Sequence, residues 1–172
     1  SIPVVVPNWD RGSVPEPIEP FIGMVGAVTG GPRLLPDADL VLMIGARCDH
    51  RVGYLQSPAV HKDARVVRVD ADPQQINQGA GAHVRILGDP RSVLNQLIDA
   101  CTALGISPKT DWLKEAGARK KAFRNDRISV VRKDGELHAL DILKAVESIL
   151  TDDTLLIIDG GNIGQWVHQI LC

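Results

Sequence analysis

The run Leu40-Val41-Leu42-Met43-Ile44 restricts this chain more than any other stretch. It is apolar throughout, lacks alternation and is closed by Gly45. That pattern predicts a strand covered on both faces, as in a parallel sheet between helices. Two further runs repeat the arrangement: Arg65 to Val69 ends in Asp70, and Val84 to Leu87 ends in Gly88-Asp89-Pro90. Ligands of parallel sheets bind beyond the carboxyl ends of the strands. Gly45, Asp70 and Asp89 are therefore expected around one crevice of nucleotide type. The expected fold class is α/β, a doubly wound, mostly parallel sheet flanked by helices.

Composition excludes more than it selects. A chain of 172 residues, 44% apolar, 23% charged and with a formal net charge of -2, suits one globular domain or one domain plus a piece of another. No basic excess points to nucleic acid, and no uncharged apolar run is long enough to span a bilayer. Cys48, Cys101 and Cys172 have no paired spacing, which indicates neither a disulfide framework nor a zinc site. With no signal-peptide pattern at the start, a reducing cytoplasmic setting is the expectation. The chain opens on a strand-like run and closes inside a helical pattern from Gln165 to Cys172, so it reads as a fragment.

Other segments fill in the order of elements. Ile2 to Val6 is expected as a strand, and Asn8 to Pro20, with Pro15, Pro17 and Pro20, as an extended loop. Gly23 to Gly31 is glycine-rich and reads either as backbone brought close to a ligand or, on spacing alone, as a flexible turn before a short helix Arg33 to Leu35. Arg47, Asp49, His50 and Arg51 directly follow the central strand. They are either a solvated loop or a set that recognises phosphate and ribitol oxygens. A carboxylate at a strand tip such as Asp70 commonly accepts ribose hydroxyls, but aspartate also terminates strands for simpler reasons. Asp72 is placed to cap a short helix from Pro73 through Asn77. Pro90 through Ala103 is predicted as a helix with Val93, Leu94, Leu97, Ile98 and Cys101 on one face.

Between Lys114 and Glu136 there are eight Lys or Arg against four Asp or Glu. Without interleaved aromatics such a stretch reads as a solvated connector rather than a nucleic-acid surface. Leu137 to Leu150 is amphipathic, with Leu140, Leu143, Val146, Ile149 and Leu150 inward and His138 as a surface or packing residue. Leu155 to Ile158 is predicted as a fifth strand. It runs into Asp159-Gly160-Gly161-Asn162-Ile163-Gly164-Gln165-Trp166, a glycine turn entering a helix whose free N–H groups suit a phosphate. The spacing is not that of the dinucleotide Gly-x-Gly-x-x-Gly fingerprint, which counts against a nicotinamide dehydrogenase.

Taken together, these segments resemble one family. Gly45-Ala46-Arg47-Cys48-Asp49-His50-Arg51 is similar to the Gly-Ala-Arg-Phe-Asp-Asp-Arg segment of acetolactate synthase and related thiamine-diphosphate enzymes. Val69-Asp70-Ala71-Asp72-Pro73 resembles the Ile-Asp-Pro segment that follows there, and Gly88-Asp89-Pro90 the later Gly-Asp turn. Asp159 to Trp166 lines up with Asp-Val-Gly-Gln-His-Gln-Met-Trp, which opens the pyrophosphate domain. The order and spacing hold along the whole chain.

The resemblance implies a central domain over 1–108 that binds FAD or ADP and lacks its first strand and helix. It further implies a basic connector over 109–136, and the beginning of a thiamine-diphosphate domain over 137–172. By position, Gly45, Ala46, Arg47, Asp49 and Arg51 would contact the dinucleotide. Asp70, Ala71, Gln75, Asp89 and Pro90 would line its other side, and Gly26 and Val28 match a glycine loop that touches the flavin. Gly161, Asn162 and Ile163 fall where the family contacts the cofactor diphosphate. Cys48 for Phe, His50 for Asp, and Val28 and Ile163 for His depart from the synthase pattern. Hydroxyacyl-CoA lyases and benzaldehyde lyase have similar middles.

The function implied is a portion of a carboligase or decarboxylase acting on a 2-keto acid, with thiamine diphosphate and Mg2+ in the full-length parent and a homo-oligomeric assembly, dimer or tetramer. A non-catalytic nucleotide-binding module is the alternative. The family's ylid-generating glutamate and its magnesium-binding Gly-Asp-Gly run do not occur in these residues, so no catalytic residue or metal ligand is assigned. The strand absent from the central domain would be an interior one, which makes an isolated monomer of these residues marginally stable.

Overall fold

The computed structural model describes residues 2–14, 18–26, 31–79, 81–130 and 135–171. Among them the strands are β1 (Val4–Pro7), β2 (Phe21–Val25), β3 (Leu40–Ile44), β4 (Arg65–Asp70) and β5 (Val84–Leu87), and the helices are α1 (Pro90–Ala103), α2 (Asp111–Ile128), α3 (Ala139–Glu147) and α4 (Asn162–Ile170). Both sheets are parallel: β1 pairs with β2, and β3, β4 and β5 lie side by side in that order. The chain divides into two compact units, residues 33–110 and residues 2–32 with 111–172. The expected α/β class, parallel sheets flanked by helices, is what the chain adopts.

In the unit of residues 33–110, register places Ile44 beside Val69 and Asp70 beside Leu87. Val41, Met43 and Val66 pack with Cys48, Val52, Leu55 and Val60 into its core. The burial of β3 is one-sided, contrary to the expectation of a run covered throughout. Val41 and Met43 are buried, Leu42 and Ile44 half-buried, and Leu40 is 52% exposed. One edge of β3 pairs with β4; no strand among the described residues pairs with the other.

Arg68 breaks the apolar pattern of β4 and yet is buried, at 2% exposure. Its guanidinium donates to the carbonyl of Gln78 and, at 2.6 Å, to that of Gln75. It thereby ties a 3-10 turn, Gln75–Asn77, down onto the sheet. That turn is all that forms of the helix expected from Pro73, and another such turn, Leu35–Asp37, replaces the one expected at Arg33. Helix α1 has the predicted bounds because Pro90 opens it and the Asp89 carboxylate accepts from the Ser92 N–H at 2.8 Å. Its apolar face is only partly covered. Val93 is buried and Leu97 half-buried, but Leu94, Ile98 and Cys101 are exposed.

The other unit corrects two expectations. Of the glycine-rich stretch, read as backbone close to a ligand or as a flexible turn, residues 23–25 belong to β2, a fully buried strand, and residues 27–30 lie outside the described residues. Phe21, Ile22, Met24 and Val25 supply enough burial to override Gly23, which sits at φ +130 where the register with β1 slips by one residue. The strand expected at Leu155 to Ile158 does not form. Leu155 and Ile157 are 84% and 83% exposed, and no described strand lies beside them to accept a ladder.

Leu140 and Leu143 of α3 face inward as expected, packing with Val167 and Ile170 of α4, whereas Ile149 lies past the helix end and is 74% exposed. His138 is the N-cap of α3. Its Nδ1 accepts from the Leu140 N–H at 3.1 Å, while the Asp141 carboxylate accepts from its own backbone N–H at 3.1 Å.

His168 of α4 is 6% exposed and stands edge-on to Trp9, ring centroids 4.8 Å apart. Burial pushes its pKa below the ordinary 6.5. The folded state therefore holds this proton less tightly than the unfolded chain does. Stability is unaffected well above about pH 6.5 and falls as pH drops from there to the folded pKa. Urea unfolding followed by tryptophan fluorescence, with Trp9, Trp112 and Trp166 all in this unit, is expected to have a lower midpoint near pH 5.5 than near pH 7.5. His168→Phe should flatten that dependence, and equal midpoints in the parent chain would contradict it.

Candidate functional site

The three parallel strands of residues 33–110 deliver their C-terminal turns to one edge. The Gly45 N–H donates to the Val69 carbonyl at 2.8 Å, and the Gly88 N–H to the Asp70 carbonyl at 2.9 Å, so the turns after β3, β4 and β5 lie next to one another. Gly45 has φ +59, a conformation that favours glycine, and a Cβ built there lies 3.6 Å from Pro90 Cγ. The turn after β3 thus abuts the start of α1. Gly45, Asp70, Asp89 and Pro90 are brought together as the sequence predicts, with Ala46, Arg47 and Ala71 following directly on their strands.

The roles within this group divide by what each side chain already binds. Arg51 grips Asp49 through Nε to both oxygens, at 3.1 and 3.0 Å, and through Nη2 at 2.9 Å. The Arg51 N–H adds a further bond to the same carboxylate at 2.9 Å. Hydrogen bonding from the guanidinium holds the Asp49 carboxyl below the usual carboxylate range. This pair shapes the loop. Asp89 is likewise engaged, its carboxyl lowered by the backbone N–H of Ser92 and then by the Ser92 hydroxyl.

Two other groups at the edge remain available, and a third is closed off. Arg47 is exposed and has no ion-pair or hydrogen-bond partner among the described residues. One oxygen of Asp70 accepts from the Asp72 N–H at 2.9 Å, leaving the other open. The side-chain oxygen of Gln75 is buried with no donor, although the Gln75 backbone is fixed by Arg68. A cation and a carboxylate oxygen at the tips of parallel strands fit the phosphates and hydroxyls of a nucleotide, and the Gln75 oxygen joins them only when its side chain turns outward.

The remaining predicted positions belong to the other unit. Gly26 directly follows β2, and Val28 lies outside the described residues. Gly161, at φ +106, precedes α4, and Gly161, Asn162 and Ile163 are all exposed, so the first-turn N–H groups of α4 face outward. Gly164 has a steric reason to be glycine, because a Cβ there would lie 2.3 Å from the Asp159 carbonyl.

Two residues that matter to the edge were not among the predicted set. Arg68 was visible as a charge inside the β-branched run Arg65-Val66-Val67-Arg68-Val69. Gly79 carried no signal of its own. It has φ +80, and a Cβ there would lie 2.3 Å from Cys48 Sγ, under the Arg47–Arg51 loop. No helix of the described residues is long and apolar enough to cross a membrane.

Comparison with known proteins adds to this geometry. The family model described as thiamine pyrophosphate enzyme, central domain, matches residues 1–97. A probable acetolactate synthase large subunit of Methanocaldococcus jannaschii is 29% identical over 175 residues, covering 96% of this chain and 29% of that protein. An acetolactate synthase large subunit of Corynebacterium glutamicum is 35% identical over 126 residues, 69% of this chain and 20% of the other. A 2-hydroxyacyl-CoA lyase 2 of Caenorhabditis elegans is 27% identical over 135 residues, 74% of this chain and 21% of the other. The chain spans less than a third of the length of each of these relatives.

Proposed function

This chain belongs to the thiamine pyrophosphate enzyme family through its central domain, and on that premise we propose that it is a portion of an acetolactate synthase-like carboligase or decarboxylase acting on a 2-keto acid. In this reading the edge formed by β3, β4 and β5 binds the dinucleotide FAD or, failing that, ADP. Arg47 bears on phosphate and Asp70 on a ribose hydroxyl, with Gln75 turning outward to accept from an N–H or O–H donor. The observation that carries the reading is an exposed Arg47, unpartnered among the described residues, in the turn after β3 and an open Asp70 carboxylate oxygen at the tip of the neighbouring β4. Asp49, Arg51 and Asp89 hold the loops that present them.

The outward-facing first turn of α4 contributes Gly161, Asn162 and Ile163 N–H groups to the diphosphate of thiamine diphosphate. When bound, that cofactor supplies stabilisation of a carbanion at the keto-acid carbon. Ile163 has no polar side chain, so its part is limited to its backbone. Magnesium, a homo-oligomeric assembly and a cytoplasmic setting complete the reading.

Isothermal titration of the purified chain with FAD and with ADP tests it. Arg47→Ala is expected to weaken binding about tenfold, the loss of one charge-assisted contact of about 1.4 kcal/mol. Absence of saturable binding of either nucleotide would remove the proposal. The lyase relative supports a second reading, a 2-hydroxyacyl-CoA lyase-like enzyme. ADP bound in preference to FAD would favour it.

A further inference from the structure

The unit of residues 2–32 with 111–172 holds a cavity of about 40 Å³ bounded by Ile22–Met24 of β2, by α2 and by the end of α4. Lys120, Phe123, Arg124, His168 and Gln169 line it. Nothing in the nucleotide reading uses these groups, and the inference does not depend on it.

The cavity is rich in donors and has no carboxylate among its lining residues. His168 is 6% exposed, and neither of its ring nitrogens has a hydrogen-bond partner among the described residues. Lys120 donates to the Phe21 carbonyl at 3.1 Å, and Arg124 to the Ile170 carbonyl at 2.8 Å. Those carbonyls fix both side chains at the cavity wall, and among the described residues no carboxylate neutralises either charge. A buried polar group without a partner costs about 1–3 kcal/mol, and a partly buried cation without an anion costs more. The pKa of Lys120 is accordingly pushed down, by burial first and then by the nearby Arg11 and Arg124.

Water satisfies an imidazole but does not neutralise the half-buried Lys120 ammonium, beside which the exposed Arg124 adds a second positive charge. A water molecule needs about 10–15 Å³ of such space, so the cavity holds about three waters or one group of four or five heavy atoms. An acceptor-rich anion of that size meets every unmet requirement at once. We propose that this cavity is a binding site for a small oxyanion of phosphate or carboxylate type, held by His168, Lys120 and Arg124.

The test is titration of the chain with sodium phosphate and, separately, sodium acetate at constant ionic strength. It is read by calorimetry and by the NMR signals of the histidine rings. Saturable one-site binding of either anion is expected, with the His168 ring resonances moving along the same isotherm. Phosphate without acetate would assign the site to phosphate groups, and the reverse to carboxylates. Lys120→Gln and Arg124→Gln are each expected to weaken binding at least tenfold. ADP, the probe for the sheet edge, is expected not to displace the anion, which separates failure here from failure of the nucleotide reading. His168→Phe should abolish binding, and if that variant does not fold the exposed Arg124→Gln decides. Silence of the His168 signals with both anions, or binding unchanged in Arg124→Gln, overturns the proposal.

Discussion

Arg68→Ala is expected to unfold residues 33–110 at a urea concentration about 1–3 M below that of the parent chain. The side chain is 2% exposed, so truncation leaves a cavity in the sheet face. It also leaves the Gln78 carbonyl without the Arg68 donor and the Gln75 carbonyl with only the Gln78 N–H. Together these losses come to about 3–5 kcal/mol, a large share of the 5–15 kcal/mol that is typical of a whole domain. Two milder variants separate the causes. Arg68→Met keeps most of the volume and removes a buried charge, so it measures the lost hydrogen bonds against the relieved desolvation. Arg68→Lys keeps the charge on a single nitrogen, which lacks the forked geometry that spans both carbonyls. Hydrogen exchange at residues 75–78 should accelerate in all three. An alanine variant with an unchanged urea midpoint and unchanged exchange there would show that the turn is held by something else.

The second large effect is expected at Gly79. An alanine there carries two costs. The backbone sits at φ +80, which costs a residue with a Cβ about 1–2 kcal/mol. The new methyl would also lie 2.3 Å from Cys48 Sγ and 3.1 Å from Cys48 Cβ, in a core with no slack. Overpacking of this kind costs about 1–3 kcal/mol. Cys48 is 4% exposed and lies between Arg47 and Asp49, so it relieves the overlap only by moving the loop that presents Arg47. Gly79→Ala is therefore expected to lower both the urea midpoint and nucleotide affinity. Adding Cys48→Ala should recover part of the stability, the part due to the sulfur, and none of the part due to φ. The double variant matching the single one would rule out the overlap as the cause.

The comparison between sequence and structure divides along lines of sequence separation. The edge at Gly45, Asp70 and Asp89 was legible because each position closes a short apolar run, and parallel pairing of adjacent runs aligns their ends. The bounds of α1 were legible because Asp89, Pro90 and Ser92 are local in sequence. The pairing of Arg51 with Asp49 was not, since two arginines stand close to one acid and only the loop geometry chooses between them. Neither was β2. Glycines at 23 and 26 read as punctuation, and only burial of Phe21 and Met24 against β1, with Ile22 and Val25 also buried, makes the segment a strand. Leu155 to Ile158 failed in the opposite direction. Its pattern suits a strand, but pattern supplies no neighbour, and unpaired backbone in water gains nothing from being extended.

The unpaired side of β3 has a consequence for handling the molecule. Among the described residues nothing pairs with that side of Leu40 to Ile44, whose ladder of N–H and C=O groups carries no lysine, proline or bulge to deter a visitor. A segment of that kind is adhesive toward any extended chain, its own copies included. Turbidity and particle size should therefore climb with protein concentration, and a single lysine at Leu40, already 52% exposed, is the gentlest way to blunt the tendency without disturbing the neighbouring nucleotide edge.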